Sequence, residues 1–246
     1  VASEAPRQKQ RRISTALMSR MANHRRNYLQ AMPALALAAI IITLGGCAGD
    51  DNRETRPSET DDTPDAAAGR HYDLAELEQE RAAKDEYFRR EGSPIPDDRR
   101  EHFAGLRYYP PDTSLVFDLT LRKFPEPEPV QLVATKGDRR NMLRYGAFSF
   151  TAGGVPCTLT AYTSEEHPES LFIPFRDATN GTETYEVGRY IDLEIQPDNL
   201  YRLDFNRAYN PYCAYNVRYT CPLVPEENIL EAAIRAGEMM PEGLEH

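Results

Sequence analysis

From Leu115 to Leu121 the chain reads LVFDLTL, with Leu115, Phe117, Leu119 and Leu121 alternating against Val116, Asp118 and Thr120. A side-chain period of two puts all four leucines and phenylalanines on one face of an extended strand, which a helix would scatter around its axis. Six more short runs follow, VQLVAT, LRYGAFSF, CTLTAY, LFIPF, YIDLEI and LYRLDF, most of them separated by turn residues. Short strands in succession, with no helical segment between them, predict a mostly β fold: an antiparallel β-sandwich or open barrel. Two flanking helices are expected. The N-terminal one runs from Tyr72 to Arg90, where Leu74, Leu77, Ala82 and Phe88 sit among charges, and stops near Gly92-Ser93-Pro94. The C-terminal one follows Pro225, from Glu226 to Met239, with Leu230, Ala233, Ile234 and Gly237 on one side. The globular domain therefore spans residues 71–240, with 241–246 as a tail.

The first 46 residues have a different chemistry. They carry seven Lys or Arg against the single acid Glu4, and end in the uncharged run NYLQAMPALALAAIIITLGG. A basic flank, an apolar segment and small residues before a cut describe a secretory signal. The Val1 start and the placement of Met21 point to Met21 as the natural first residue. LGGC, Leu44 to Cys47, resembles a bacterial lipobox, which implies cleavage before Cys47 and acylation of its sulfur; stable anchoring needs more than one acyl chain, and such a modification supplies them. Ala48 follows the cysteine, and in a cell with two membranes a residue other than Asp there directs such proteins outward. Residues 48–70, AGDDNRETRPSETDDTPDAAAGR, hold no bulky apolar side chain and read as a disordered tether.

Without the leader, 22 basic and 38 acidic residues remain, a charge of −16. Such a surface repels nucleic acid and anionic headgroups, so the expected membrane partner is reached through the lipid. Gly-rich phosphate loops and serine elbows are absent, and the sequence names no cofactor.

Two turns order the candidate site. Asn180-Gly181 is a two-residue hairpin signal, which would set Thr179 opposite Thr182 and Asp177 opposite Thr184, with Arg176 diagonal to Glu183. Between IDLEI and YRLDF, a loop at Pro197 to Asn199 would pair Ile195 with Tyr201, Leu193 with Leu203 and Ile191 with Phe205. The other face then sets Glu194 opposite Arg202, Tyr190 opposite Asn206 and Asp192 opposite Asp204. Carboxylates directly across a ladder repel. Arg189 or Arg218, a cation with oxygen ligands, or a shared proton would offset that repulsion, unless the two groups simply lean apart into solvent.

After Cys47, only Cys157, Cys213 and Cys221 remain. A straight strand from Cys213 to Cys221 would span about 26 Å, so a disulfide between them requires a turn near Tyr215-Asn216. No histidine stands close to a cysteine in sequence, which argues against a thiolate metal centre.

The succession KDEYF, GSPIP, FAGLRYYPPD, LFIPFRDATNGTETYEVGRYIDL, LDFNRAYNPYCAYNVRYTCPLVPEENIL and AGE resembles the domain-of-unknown-function 1684 family over about Leu74 to Glu238. The resemblance carries no established activity. It implies two signature blocks: Asp177, Thr179, Gly181, Glu183, Tyr185, Gly188, Arg189, Tyr190 and Asp192, then Asp204, Phe205, Asn206, Tyr209, Asn210, Pro211, Cys213, Cys221, Pro222 and Asn228. It also implies that an essential disulfide is not required, since relatives occur with and without export signals.

Three functions follow. The first is a lipid-anchored envelope module that binds a small molecule, sugar or peptide. Tyr190, Tyr209, Tyr212 and Tyr215 would stack on the ligand, while Arg189, Asp192, Asp204, Asn206 and Asn210 would hydrogen-bond to it. The second is a hydrolase-type enzyme in which Asp192 and Asp204 act as an acid-base or cation-holding pair. The third is a structural protein whose polar residues rigidify a sheet. An envelope protein is an alternative partner to a small ligand.

Overall fold

The computed structural model describes residues 72–242; the expected leader, Cys47 and the tether lie outside them. Among the described residues, seven antiparallel strands form two sheets. The larger contains β2 (Arg122–Val133), β3 (Arg139–Ala152), β4 (Val155–Ser164), β5 (His167–Phe175) and β6 (Arg189–Glu194), in that spatial order. The smaller pairs β1 (Val116–Thr120) with β7 (Leu200–Asp204). Neither sheet closes into a barrel. Helices α1 (Leu74–Phe88) and α2 (Asp97–Arg100) precede all the strands.

The β3–β4 turn is built by Gly153-Gly154, both at positive φ, 55° and 81°, the geometry a two-residue hairpin demands of both positions. The outer edge of the sheet is β2, whose sequence RKFPEPEPVQLV carries three prolines and a register shift between Lys123 and Glu128. Prolines and a bulge on an edge strand remove the donors that another strand would need to pair with it.

Alternate residues of both sheets face one core. Phe148, Phe150, Leu159, Ala161, Leu171, Ile173, Phe175 and Ile191 come from the large sheet, and Tyr201 and Leu203, followed by Phe205, from the small one, with Phe117 and Leu119 of β1 packed against them. The predicted period of two at Leu115 to Leu121 is thus used as read: Leu115 and Leu121 are buried at the two ends of β1.

Strand partners differ from expectation at β6 and β7. β6 pairs with β5, Leu171 opposite Leu193 and Ile173 opposite Ile191, while β7 leaves the sheet and pairs with β1, Leu203 opposite Phe117. The apolar rows of β6 and β7 reach the same core from different layers. Alternation specifies which face of a strand is buried and leaves its neighbour undetermined. The Asn180-Gly181 hairpin is also replaced: residues 176–188 form a long connection between β5 and β6, and the ladder resumes only at Phe175 opposite Arg189. Within it Gly181 has φ 79° whereas Asn180 stays out of the positive region, so the turn is not of the two-residue kind.

Helix α1 forms where expected. Asp73 caps it, its carboxylate accepting from the Glu76 N–H at 3.0 Å. Its docking seam is Leu77, Arg81, Lys84 and Phe88, at helical spacings of four, three and four. Leu77 and Phe88 are buried, while Arg81 donates to the carbonyls of Tyr109 and Asn206, both at 3.1 Å. Leu74 remains exposed.

No helix forms over residues 226–239. A single 3-10 turn, Glu226–Asn228, leads into extended chain that buries every second residue: Leu230, Ala232, Ile234 and Ala236. This strap lies across the core, held by the Leu230 N–H donating to the Arg176 carbonyl (2.8 Å) and the Ala178 N–H donating to the Ala232 carbonyl (3.1 Å). At its far end Gly237 takes φ 77°, and any Cβ there would stand 2.6 Å from the Ala208 carbonyl oxygen. Asn228 enters the sheet itself. Its amide nitrogen donates to the carbonyls of Thr160 (2.9 Å) and Pro174 (2.7 Å), and its oxygen accepts from the Thr160 N–H (2.8 Å). Strands β4 and β5 pair at Tyr162 opposite Phe172 but not at this level, so a side-chain amide substitutes for a peptide group.

Candidate functional site

Six of the nine residues expected to meet a ligand are enclosed. Arg189 is wholly buried at the first position of β6, directing its guanidinium toward the strap. One terminal nitrogen donates to the carbonyls of Ala236 and Glu238, the other to the Ile234 carbonyl (2.7 Å) and the Asp177 carboxylate (2.8 Å). Alternate carbonyls of an extended segment thus converge on one planar fork, for which guanidinium is suited and ammonium is not. Asp177 is saturated by the Thr179 N–H (2.9 Å) and hydroxyl (2.6 Å) and the Ile234 N–H (3.2 Å).

Asp204 lies 3 % exposed at the end of β7, where it caps the short turn Phe205–Arg207. It accepts from the Asn206 N–H (2.9 Å), the Tyr72 hydroxyl (3.0 Å) and the Arg207 guanidinium (3.2 Å). Asn206 spends its side chain on the backbone of Asp112, accepting at 2.8 Å and donating at 2.9 Å. Asn210 donates to the Tyr215 hydroxyl (3.2 Å) and the Met239 carbonyl (2.8 Å). Beside it, the buried Glu238 carboxylate accepts from the Asn210 N–H (2.7 Å) and the Tyr215 hydroxyl (2.7 Å), with Lys84 as its counter-ion. These groups neutralise and hydrogen-bond one another, with Arg189 Nε and Asn210 Oδ1 left without a partner.

Asp192 and Asp204 do not face each other. Asp192 is opposite Phe172 on β5 and Asp204 is opposite Val116 on β1, in separate sheets. The expected acid-base or cation-holding pair is therefore overturned, because it required a β6–β7 ladder. Among the described residues no group of three or more His, Cys, Asp or Glu gathers as metal ligands do.

The structure does assemble an aromatic group on the outer face of β5 and β6. Tyr190 and Tyr209 exchange backbone hydrogen bonds (2.9 and 3.0 Å) and meet edge to face at 5.8 Å, with Phe172 at 4.8 Å from Tyr190. The Tyr190 hydroxyl donates to the Pro222 carbonyl, and the residue is buried. Tyr209 is half-buried, and its hydroxyl donates to the exposed Asp192 carboxylate at 2.5 Å. Lys84 places its ammonium 4.9 Å from the centre of the Tyr209 ring. Asp192, Tyr209, Phe172 and Lys84 thus combine an acceptor, a phenol, an apolar ring and a cation at one surface. Of these, sequence reasoning missed Phe172 and Lys84. The first is legible as an outward residue of LFIPF, but only the α1 docking brings in the second.

Beneath this surface Tyr190 packs with Cys213 and Cys221, within reach of Tyr185, Tyr212 and Tyr219. Cys213 belongs to a 3-10 turn, Tyr212–Ala214, and the Tyr219 N–H donates to the Asn216 carbonyl (3.1 Å), so the chain reverses where a disulfide would require it. Both cysteines are unbonded thiols. The Cys213 N–H donates to the Cys221 sulfur (3.3 Å), and the Tyr185 hydroxyl lies 3.8 Å from the Cys213 sulfur. The Cys213 thiol is drawn down to about 7, chiefly by a hydrogen bond from Cys221, while Cys221 is held far above the usual thiol value by sharing that proton and by burial. Tyr215, expected to stack on a ligand, is instead enclosed against Phe88, with ring centres 5.0 Å apart.

A family model described as "Protein of unknown function (DUF1684)" matches residues 101–239, which contain every strand, the aromatic group and the strap. Among solved structures, a solution NMR structure of an uncharacterised protein from Haloarcula marismortui is 38 % identical, over 70 % of this chain and 95 % of that one, with a TM-score of 0.55. No curated protein matches. On the extent of the family match and the identity of this relative, the chain belongs to the DUF1684 family.

Proposed function

We propose that this chain is a lipid-anchored cell-envelope protein whose domain binds a small polar ligand, a sugar or a short peptide, at the face formed by Asp192, Tyr209 and Phe172. The observation that carries the reading is the Asp192–Tyr209 pair. Its 2.5 Å hydrogen bond fixes an exposed carboxylate beside aromatic rings while leaving acceptor positions open to solvent. A carboxylate so held receives ligand O–H or N–H groups, and the rings cover the apolar face of a pyranose or a side chain.

The test is titration of the full chain with neutral oligosaccharides and short peptides, comparing wild type with Asp192→Asn and Tyr209→Phe. Loss of a charge-assisted hydrogen bond of about 1.5–3 kcal/mol weakens binding by roughly tenfold or more without altering the unfolding transition. Equal affinity in all three proteins would sink the reading. Anchoring is tested separately: Cys47→Ser should abolish incorporation of a labelled fatty acid and release the protein from the membrane fraction. Retention of label in that variant would place acylation elsewhere.

A further inference from the structure

The ligand surface leaves the two thiols below it without a role. A structural staple would hold them joined, yet in the unjoined state the backbone and sulfur of Cys221 are themselves hydrogen-bonded. Cys221 donates its N–H to the Thr135 hydroxyl (3.2 Å), its carbonyl accepts from the Thr135 N–H (2.9 Å), and its sulfur accepts from the Cys213 N–H (3.3 Å). Both thiols pack in one buried cluster with Tyr190. Cys213 and Cys221 are only 5 % and 8 % exposed, so nothing larger than a narrow reagent meets them without a shift of the flanking Tyr212 or Tyr219, whose rings touch edge to face at 5.3 Å. Two thiolates alone fall short of a four-coordinate metal centre. Thiol–disulfide chemistry is what remains for two sulfurs packed together in one buried site.

We propose that Cys213 and Cys221 form a reversible redox couple that exchanges with organic disulfides, with Cys213 attacking and Cys221 resolving. In the first step the Cys213 thiolate forms a bond to one sulfur of a disulfide RSSR, the S–S bond breaks, and RS⁻ departs with the electron pair. In the second, Cys221 gives its proton to that departing thiolate and attacks the Cys213 sulfur. The mixed disulfide breaks, a second RS⁻ leaves and takes up a proton from solvent, and the Cys213–Cys221 bond is complete. The net change is two protein thiols oxidised and one RSSR reduced to two RSH. The suppressed thiol pKa at Cys213 supplies attacking thiolate near neutral pH, while proton-sharing keeps Cys221 in reserve. The couple is independent of the ligand surface, since no step uses Asp192 or Tyr209.

The test equilibrates the full chain with reduced and oxidised glutathione at varied ratios, quenches by alkylation and maps the peptides by mass spectrometry. The expected result is a Cys213–Cys221 cross-link that appears and disappears reversibly as the ratio is swept, leaving Cys157 reduced. Cys221→Ser should trap a glutathione adduct on Cys213, and alkylation of Cys213 in that variant should quicken as pH rises. Should Cys221→Ser fail to fold, Cys221→Ala is used for the same trapping. A cross-link that no ratio reduces would identify a structural staple and overturn the proposal. Absence of any cross-link in the folded wild type would overturn it equally.

Discussion

Arg189 shows how one side chain sets the path of a distant segment. Its fork collects the carbonyls of Ile234 and Ala236 with the Asp177 carboxylate, and it has no contact with solvent. Removing the cation would leave Asp177 charged and buried without its partner, and would orphan the strap carbonyls. We therefore expect Arg189→Met to cost about 3–5 kcal/mol in urea unfolding. The double variant Arg189→Met/Asp177→Asn should lose less than the two single costs combined, because it removes both charges together. Additive losses would contradict the coupling. Arg189 was legible in the sequence as a candidate ligand-binding residue, yet its role was not. A ligand-binding arginine and a backbone-binding arginine have the same neighbours in sequence, and only the arrival of residues 234–238 separates them.

The strap is the element on which sequence pattern and structure diverge most. ILEAAIRAGE supports a helical reading through Leu230, Ala233, Ile234 and Gly237, and an extended reading through Leu230, Ala232, Ile234 and Ala236. The second wins, because Arg189, Arg176 and Ala178 supply external partners for the strap backbone that a helix would have satisfied internally. The two readings disagree about which alanine is inside. Ala232→Lys should unfold the protein or destabilise it strongly by burying an unpaired charge, whereas Ala233→Lys, at an exposed position, should stay within about 0.5 kcal/mol of wild type. Thermal melts of the pair check this, and the reverse order would restore the helix. The β-strands fared better, since alternation at β1, β5, β6 and β7 set their buried faces. Partner choice escaped the sequence because both sheets share one core. The same ambiguity created the spurious Asp192–Asp204 pair, while the Asp192–Tyr209 contact depended on a bridge between Tyr190 and the chain beyond β7.

At the scale of the molecule, the two ends of the described chain are built into one another. Helix α1 supplies Lys84 to Glu238, Arg81 to the carbonyls of Tyr109 and Asn206, and Glu80 to Arg207. Contacts this distant in sequence are costly to close and slow to form. The amide of Asn228 fills a gap between β4 and β5 and therefore has a temporal meaning. Synthesis is vectorial, and a growing chain that has reached only residue 220 holds the Thr160 and Pro174 carbonyls without their final donor. Chains stalled on the ribosome with residues up to 220 exposed should be digested rapidly by protease, while those exposed through residue 242 should resist. Early resistance would show that the strap merely decorates a finished sheet. As built, the sheet postpones its own closure until Asn228 has emerged, leaving the strands before it a pliable polymer until then.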